Sequence, residues 1–259
     1  MIYRSTVTIL ALGIILFSGS LIGQNLEACN GIKVEYIFSQ KRNGRLISAR
    51  PERVYFYRNK SLSVISVSGE RSIQQDTDNA GNKKVVMKLA EEGDSFVYTD
   101  YANEEIKNKI RFFQEDFIVE DKVPQFKWSF TGKKKTIATY NTMEATTDFR
   151  GRHYSVWFSP DLPINGGPWK FSGLPGIILE VQDSEDDFNW VCSAITELSE
   201  RDVKLIAEPS GRRIVTNDEF YDLMRNKLKS WMESIAVRAN GSLTSEVSFD
   251  ESSFLEVTK

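Results

Sequence analysis

Four of the chain's seven prolines and four of its sixteen glycines fall between Trp157 and Gly176. The same stretch holds Trp157, Phe158, Trp169 and Phe171, and it runs directly into the apolar sequence Ile177 to Val181. Proline fixes φ and glycine opens conformations that other residues avoid, so a segment this rich in both specifies one backbone path. Pro175 and Gly176 suit the two centre positions of a type II turn, which requires positive φ at the glycine. Gly166-Gly167-Pro168 supplies a second reversal. Trp169, set between Pro168 and Lys170, reads as a residue of an exposed loop. Ile177, Leu179 and Val181 alternate with Ile178 and Glu180, which predicts a strand covered on both faces.

The rest of the chain is dominated by alternation of period two. Ile32, Val34, Tyr36 and Phe38 mark a first strand over Gly31–Ser39, and the Asn43-Gly44 pair after it is the preferred centre of a two-residue hairpin. Strands follow at Arg53–Tyr57 and Ser61–Ser68, then a polar loop over Ser68–Lys84. Lys83–Leu89 and Ser95–Tyr101 read as a hairpin across Glu91-Glu92-Gly93-Asp94. Strand patterning continues over Asn108–Val119, Lys135–Tyr140, Met143–Asp148, Arg152–Phe158 and Phe188–Thr196, with an acidic, solvated turn at Asp183–Asp187. Lys133-Lys134-Lys135 reads as a solvated hairpin turn. One segment departs from the pattern. Asn217 caps apolar residues at Phe220, Leu223, Met224, Leu228, Trp231 and Ile235, the spacing of a helix with one buried stripe. The expected architecture is a mainly β fold. It is a curved antiparallel sheet, a half-barrel or bowl, with one C-terminal amphipathic helix packed on it.

Residues 1–23 read as a secretory signal peptide: Arg4, an apolar run from Val7 to Phe17, and small residues up to Gly23. The run is shorter than the roughly 18 residues of a spanning helix. A membrane anchor and a lipoprotein modified at Cys29 are the weaker alternatives. Residues 24–240 form the single β-rich domain and 241–259 a polar tail. The expected location is periplasmic or secreted, with outer-membrane association open. The formal charge is −3 and becomes −4 once Arg4 leaves with the leader. Such a balance argues against nucleic acid as a partner. Export permits a disulfide between Cys29 and Cys192, and a buried free thiol at Cys192 is an equal alternative.

The segment from Phe126 to Asp183 resembles the GLPGLI family of secreted proteins from Bacteroidota-type bacteria. The resemblance rests on Trp128, Ala145-Thr146, Gly151-Arg152, Trp157-Phe158, Pro163-Ile164 and Gly173-Leu174-Pro175-Gly176. Where such proteins often carry a cysteine, this chain has Thr142-Met143-Glu144. The family is also similar to the bowl-like N-terminal domain of a bacterial peptide-N-glycosidase, which implies a curved antiparallel sheet and, as a fold-level analogy, no activity.

His153 is the only histidine. Zinc sites built on two or three histidines and HExxH chemistry are thereby excluded within one chain. The chain has no GxSxG elbow, P-loop or nucleotide fingerprint, and no cofactor or metal is expected. Trp157, Trp169 and Phe171, with Arg152 and His153, are the candidate ligand-binding residues, bordering a cleft on the concave face. Gly173, Pro175 and Gly176 are candidate structural turn residues. The expectation is a non-catalytic binding module for an envelope ligand or an outer-membrane partner protein. The alternative is a hydrolase acting on glycan or peptide through carboxylates.

Overall fold

The computed structural model describes residues 31–67, 72–77, 83–88 and 93–238. The signal-peptide assignment, Cys29 and the polar tail lie outside them. Strands β1 (Ile32–Arg42), β2 (Arg45–Tyr57), β3 (Lys60–Val67), β4 (Ser72–Thr77), β5 (Lys83–Lys88), β6 (Gly93–Asp100), β7 (Glu105–Phe112) and β8 (Glu115–Lys122) make up the first half. Then come β9 (Ser129–Ile137), β10 (Tyr140–Phe149), β11 (Arg152–Ser159), β12 (Ile177–Asp183), β13 (Phe188–Glu197), helix α1 (Glu200–Leu205), β14 (Ile214–Thr216) and helix α2 (Asn217–Arg238).

Twelve strands form one sheet in the order β14-β8-β7-β6-β3-β2-β1-β13-β12-β11-β10-β9. Every pairing in it is antiparallel except β14 with β8, which is parallel. The mainly β, curved antiparallel sheet is therefore the observed architecture. Strands β4 and β5 pair only with each other. The hairpin expected between Lys83–Leu89 and Ser95–Tyr101 does not form. β6 pairs instead with β3 and β7, and β4–β5 is inserted between them.

The hairpins are tight. Two-residue turns at Asn43-Gly44, Phe113-Gln114, Ala138-Thr139 and Arg150-Gly151 all have positive φ at both centres. That geometry matches the right-handed twist of the flanking strands. Lys133-Lys134-Lys135 lies within edge strand β9, not in a turn; the reversal comes later, at Ala138-Thr139.

The sheet curls strongly. In strand order, β8 and β11 are eight spacings apart, about 38 Å in a flat sheet at roughly 4.8 Å per spacing. Yet Arg150, in the turn that leads into β11, places Nη2 2.8 Å from Oδ2 of Asp121 on β8. The two ends of the sheet thus approach one another. Its inner face carries Val34, Tyr36 and Phe38 of β1, Phe188 and Trp190 of β13, and Tyr154, Val156 and Phe158 of β11. The bend from 160 to 176 folds onto this face and adds Leu162, Trp169, Phe171 and Leu174 to the same core. Ile177, Ile178, Leu179 and Val181 are all fully buried, as the two-sided strand pattern predicts.

Helix α2 packs Phe220, Leu223 and Met224 against Phe117 and Val119 of β8. Phe220, Leu223, Met224 and Leu228 of the stripe read from the sequence are buried or packed on the sheet side, and the start at Asn217 agrees. Helix α1 was not anticipated, although Ser199 and Asp202 form a capping box at its start. It covers a smaller cluster of Tyr55, Leu62, Tyr98 and Leu198 on the outer face. Among the described residues, no helix is long and apolar enough to cross a membrane.

Candidate functional site

The bend is held by a buried carboxylate. Glu52 of β2 is fully buried. Its Oε1 accepts from Ser63 Oγ at 2.6 Å and from the Trp169 backbone N–H at 2.8 Å. Its Oε2 accepts from Trp190 Nε1 at 2.7 Å. Burial pushes this carboxyl above its ordinary range, against the pull of the three hydrogen bonds and of Arg50. The bond to Trp169 matters because Trp169 has φ +51, a conformation that bulky residues avoid. A turn closed by Phe171 N–H on Pro168 C=O, at 3.1 Å, completes the local path. The Trp169 ring then stacks on Trp190 at 6.3 Å and meets Phe149 and Phe171 edge-on.

The exposed-loop reading of Trp169 is thus corrected: the ring is 6% exposed and sits inside the bowl. The turn chemistry is corrected as well. The Pro175-Gly176 pair does not form a type II turn. Gly176 N–H donates to Leu174 C=O across three residues, while Ile177 N–H goes to Leu162 C=O. Gly176 is required for another reason: a Cβ there would lie 2.1 Å from the Ser159 carbonyl oxygen. Gly166 and Gly167 are close-approach positions too, over Phe56 and Ile178, and the reversal lies downstream at Pro168–Phe171. Gly173 does take positive φ, at +91, beneath Trp128, whose Nε1 donates to Ser172 C=O at 3.0 Å.

The five candidate ligand residues are not brought together. Trp169 and Phe171 are core residues of the inner face. Arg152 is also buried there, bonded to Asp183 Oδ2 at 2.8 Å with its guanidinium over Phe188. Asp183 Oδ1 accepts the N–H groups of Asp187 and Phe188, so the turn read as solvated is organised by a buried acid. Trp157 and His153 point to the opposite, outer face. Trp157 carries Lys135 Nζ over its ring at 4.3 Å, and Lys135 is bonded to both oxygens of Glu180 at 2.7 Å. His153 Nδ1 lies 2.7 Å from Asp148 Oδ1 in solvent. Cys192 is a buried free thiol, and burial pushes it up to about 11.

What the bend does create is a charged seam. Lys170, the residue after Trp169, is buried, and its Nζ meets Asp121 Oδ2 at 2.9 Å. Arg150 meets the same oxygen from the β10–β11 turn. Burial pushes the Asp121 carboxyl up, but Lys170 and Arg150 outweigh it and hold it below its ordinary range. Beside this cluster opens a cleft of about 500 Å³ between the start of β7, the end of β8, the Arg150 turn and the first turn of α2. Glu105, Lys107, Glu120, Lys122 and Asp218 supply the remaining charges of its wall. The site carries charges of both signs on its wall. It suits a ligand held by ion pairs and hydrogen bonds better than an apolar one. Among the described residues, no cluster of acids, histidine and cysteine has the arrangement of a metal site. Asp121, Arg150 and Lys170 were missed in the sequence, because their meeting depends on the curl of the sheet. Only the position of Lys170 inside the bend hinted at it.

Residues 150–180 match a family model described as a protein of unknown function (Porph_ging). The match spans Arg150, Lys170 and the whole bend. No curated protein matches this chain. Among solved structures, PNGF-II in a P21 crystal form is similar over 75% of this chain, at 13% identity and a TM-score of 0.52. The C2 form of PNGF-II gives 74%, 13% and 0.51. The chain corresponds to about a third of PNGF-II's length, so at this identity the likeness shows a shared fold and nothing of activity.

Proposed function

We propose that this chain is an exported protein of the GLPGLI type that acts in the cell envelope as a non-catalytic binding module, and that the charged cleft at the seam is its binding site. One observation carries the reading. The charged residues Arg150 and Lys170, from the matched segment 150–180, converge on Asp121 beside the cleft. Of the aromatic residues of that segment, Tyr154, Phe158, Trp169 and Phe171 are spent on filling the bowl. The bend therefore shapes the cleft from behind, while the ligand or partner chain meets the polar wall. The electrostatics favour binding over carboxylate catalysis. Among the described residues, the carboxyls pushed up are Glu52, sealed in the core, and Asp187, in the β12–β13 turn, and neither lines the cleft. Export rests on the leader-like residues 1–23.

The test combines two measurements on the mature chain. Retention on fractionated envelope glycan and envelope protein is compared for wild type, Lys122→Ala and Glu105→Gln, each with its melting curve. The reading predicts reduced retention with an unchanged melt, because both residues line the cleft and Lys122 is exposed. Unchanged retention in both variants removes the cleft. N-terminal sequencing of the protein from its native host tests export, with a start between about Leu21 and Ala28 expected. An intact Met1 contradicts it.

A further inference from the structure

The cleft at the seam opens where one strand outruns its neighbour. Strand β14 pairs with β8 as far as Thr216 opposite Glu120, and the chain then turns away into α2 at Asn217. β8 continues to Lys122, still paired on its other side with β7. Ile118 N–H donates to Arg213 C=O at 2.8 Å on the β14 side, and Val123 N–H donates to Glu104 C=O at 3.0 Å on the β7 side. Backbone groups alternate in direction along a strand, so those of Lys122 point past the end of β14, toward the cleft that Lys122 lines. The Lys122 N–H is met there by Asp121 Oδ1 at 2.8 Å. The Lys122 carbonyl has no backbone partner among the described residues. One side of the cleft is thus a strand edge left open for one residue, with an acceptor to offer and its donor already met.

The side chains around this edge carry the same bias. Arg150 is engaged by Asp121, and Lys107 by Glu120 and Glu208. Glu105, Lys122 and Asp218 are exposed, line the cleft, and form no side-chain hydrogen bond or ion pair among the described residues. Two carboxylates against one ammonium, beside a free carbonyl, make the opening a site for a cationic donor. An open strand edge takes the main chain of an extended peptide, and an edge one residue long takes only the end of one. We infer that the ligand of the cleft is the amino-terminal end of a peptide chain. Its α-ammonium donates to the Glu105 and Asp218 carboxylates, and its first backbone N–H donates to the Lys122 carbonyl. Lys122 Nζ donates to a carbonyl further along the ligand. A carboxyl terminus would face two like charges, and a neutral glycan brings no charge to either acid. The inference rests on the cleft being the binding site and adds what it binds.

The test uses the full mature chain, ¹⁵N-labelled, and follows the backbone signals of Lys122, Thr216, Asn217 and Asp218 against three probes. Trialanine amide has a free amino terminus, N-acetyl-trialanine has only a free carboxyl terminus, and chitotriose is a neutral glycan. Saturable shifts at these residues are expected from trialanine amide. The acetylated peptide should bind about tenfold more weakly or worse, since it loses the charged hydrogen bonds. Glu105→Gln and Asp218→Asn should each weaken trialanine amide by about threefold, the worth of one exposed ion pair, and both should melt with wild type. Glu233→Gln removes the same charge roughly 20 Å further along α2 and should change nothing. Equal saturation by the acetylated peptide, or saturation by chitotriose alone, overturns the inference and leaves the cleft as a binding site. Wild-type binding in both acid variants, or an equal loss in Glu233→Gln, overturns it in the same way. An absence of saturable shifts with all three probes overturns the cleft as well.

Discussion

At the scale of single residues, Glu52 makes the most consequential contacts in the molecule. It is an acid in the core, and it holds the strained Trp169 backbone, the Trp190 indole and Ser63 at once. Replacing it with alanine strands three buried donors, each worth about 1–3 kcal/mol when unmet. Glu52→Ala should therefore lower stability by on the order of 3 kcal/mol or more in urea unfolding, and a loss below about 1 kcal/mol would show that the clamp is not formed. The pH dependence has a defined sign. Burial raises the Glu52 carboxyl above its ordinary 4.5, so the unfolded chain releases the proton first as pH rises. Wild type should lose stability relative to Glu52→Gln as pH climbs past 4.5, and the opposite trend would contradict the raised value. Gly176 supplies a second residue-level prediction. Gly176→Ala drives a Cβ into the Ser159 carbonyl and should cost about 2–3 kcal/mol, whereas Gly44→Ala meets open space and should cost roughly 1–2 kcal/mol from positive φ alone. Equal losses in thermal unfolding would deny the close approach.

At the scale of elements, the hairpin turns divide those that sequence announces from those it hides. Asn43-Gly44 and Arg150-Gly151 contain residues that tolerate positive φ. Phe113-Gln114 and Ala138-Thr139 adopt the same geometry with residues that resist it. Replacing Ala138-Thr139 by Asn-Gly should stabilise the β9–β10 hairpin by about 1 kcal/mol, since a β-branched residue at φ +75 is relieved. No gain in the unfolding midpoint would mean that the turn is not strained. The same contrast explains what was legible. Alternation located β1, β10, β11, β12 and β13, and the stripe from Phe220 to Leu228 located α2. Local pattern carries no information on which strands pair. β4 therefore reads as loop, β5 is found but with β6 as its partner, and the lysines of β9 pass for a turn. The turn residues of the bend were found, but the reason for Gly176 was not, since Ser159 lies seventeen residues away and sequence gives no distance. For the candidate site, aromatic content drew attention to the bend, where Trp169 and Phe171 prove to face inward while Arg150 and Lys170 meet Asp121 beside the cleft.

At the scale of the whole molecule, the account depends on closure. A sheet of twelve strands is bent until Asp121 on one side meets Arg150 and Lys170 from the other. Lys170 is nearly sealed from solvent at its side chain, so Asp121→Ala removes a charged hydrogen-bond acceptor from a buried ammonium and should cost about 1.5–3 kcal/mol. Asp121→Asn should show the pH signature of the pair. The carboxyl is held below its ordinary 3.8, so the stability it contributes is present above 3.8 and is lost as pH falls through its lower folded value. Wild type and Asp121→Asn should therefore converge in strong acid, and a gap that stays constant would deny the coupling.

The most direct test of closure is a distance. Lys122, at the end of β8, and Gly151, in the turn after β10, are both exposed and accept spin labels through cysteine. Pulsed dipolar spectroscopy should give one distribution centred below about 20 Å, set by the short reach between Asp121 and Arg150 plus the label arms. A distribution near 38 Å, the span of eight strand spacings in a flat sheet, would contradict the closed bowl and the cleft that depends on it.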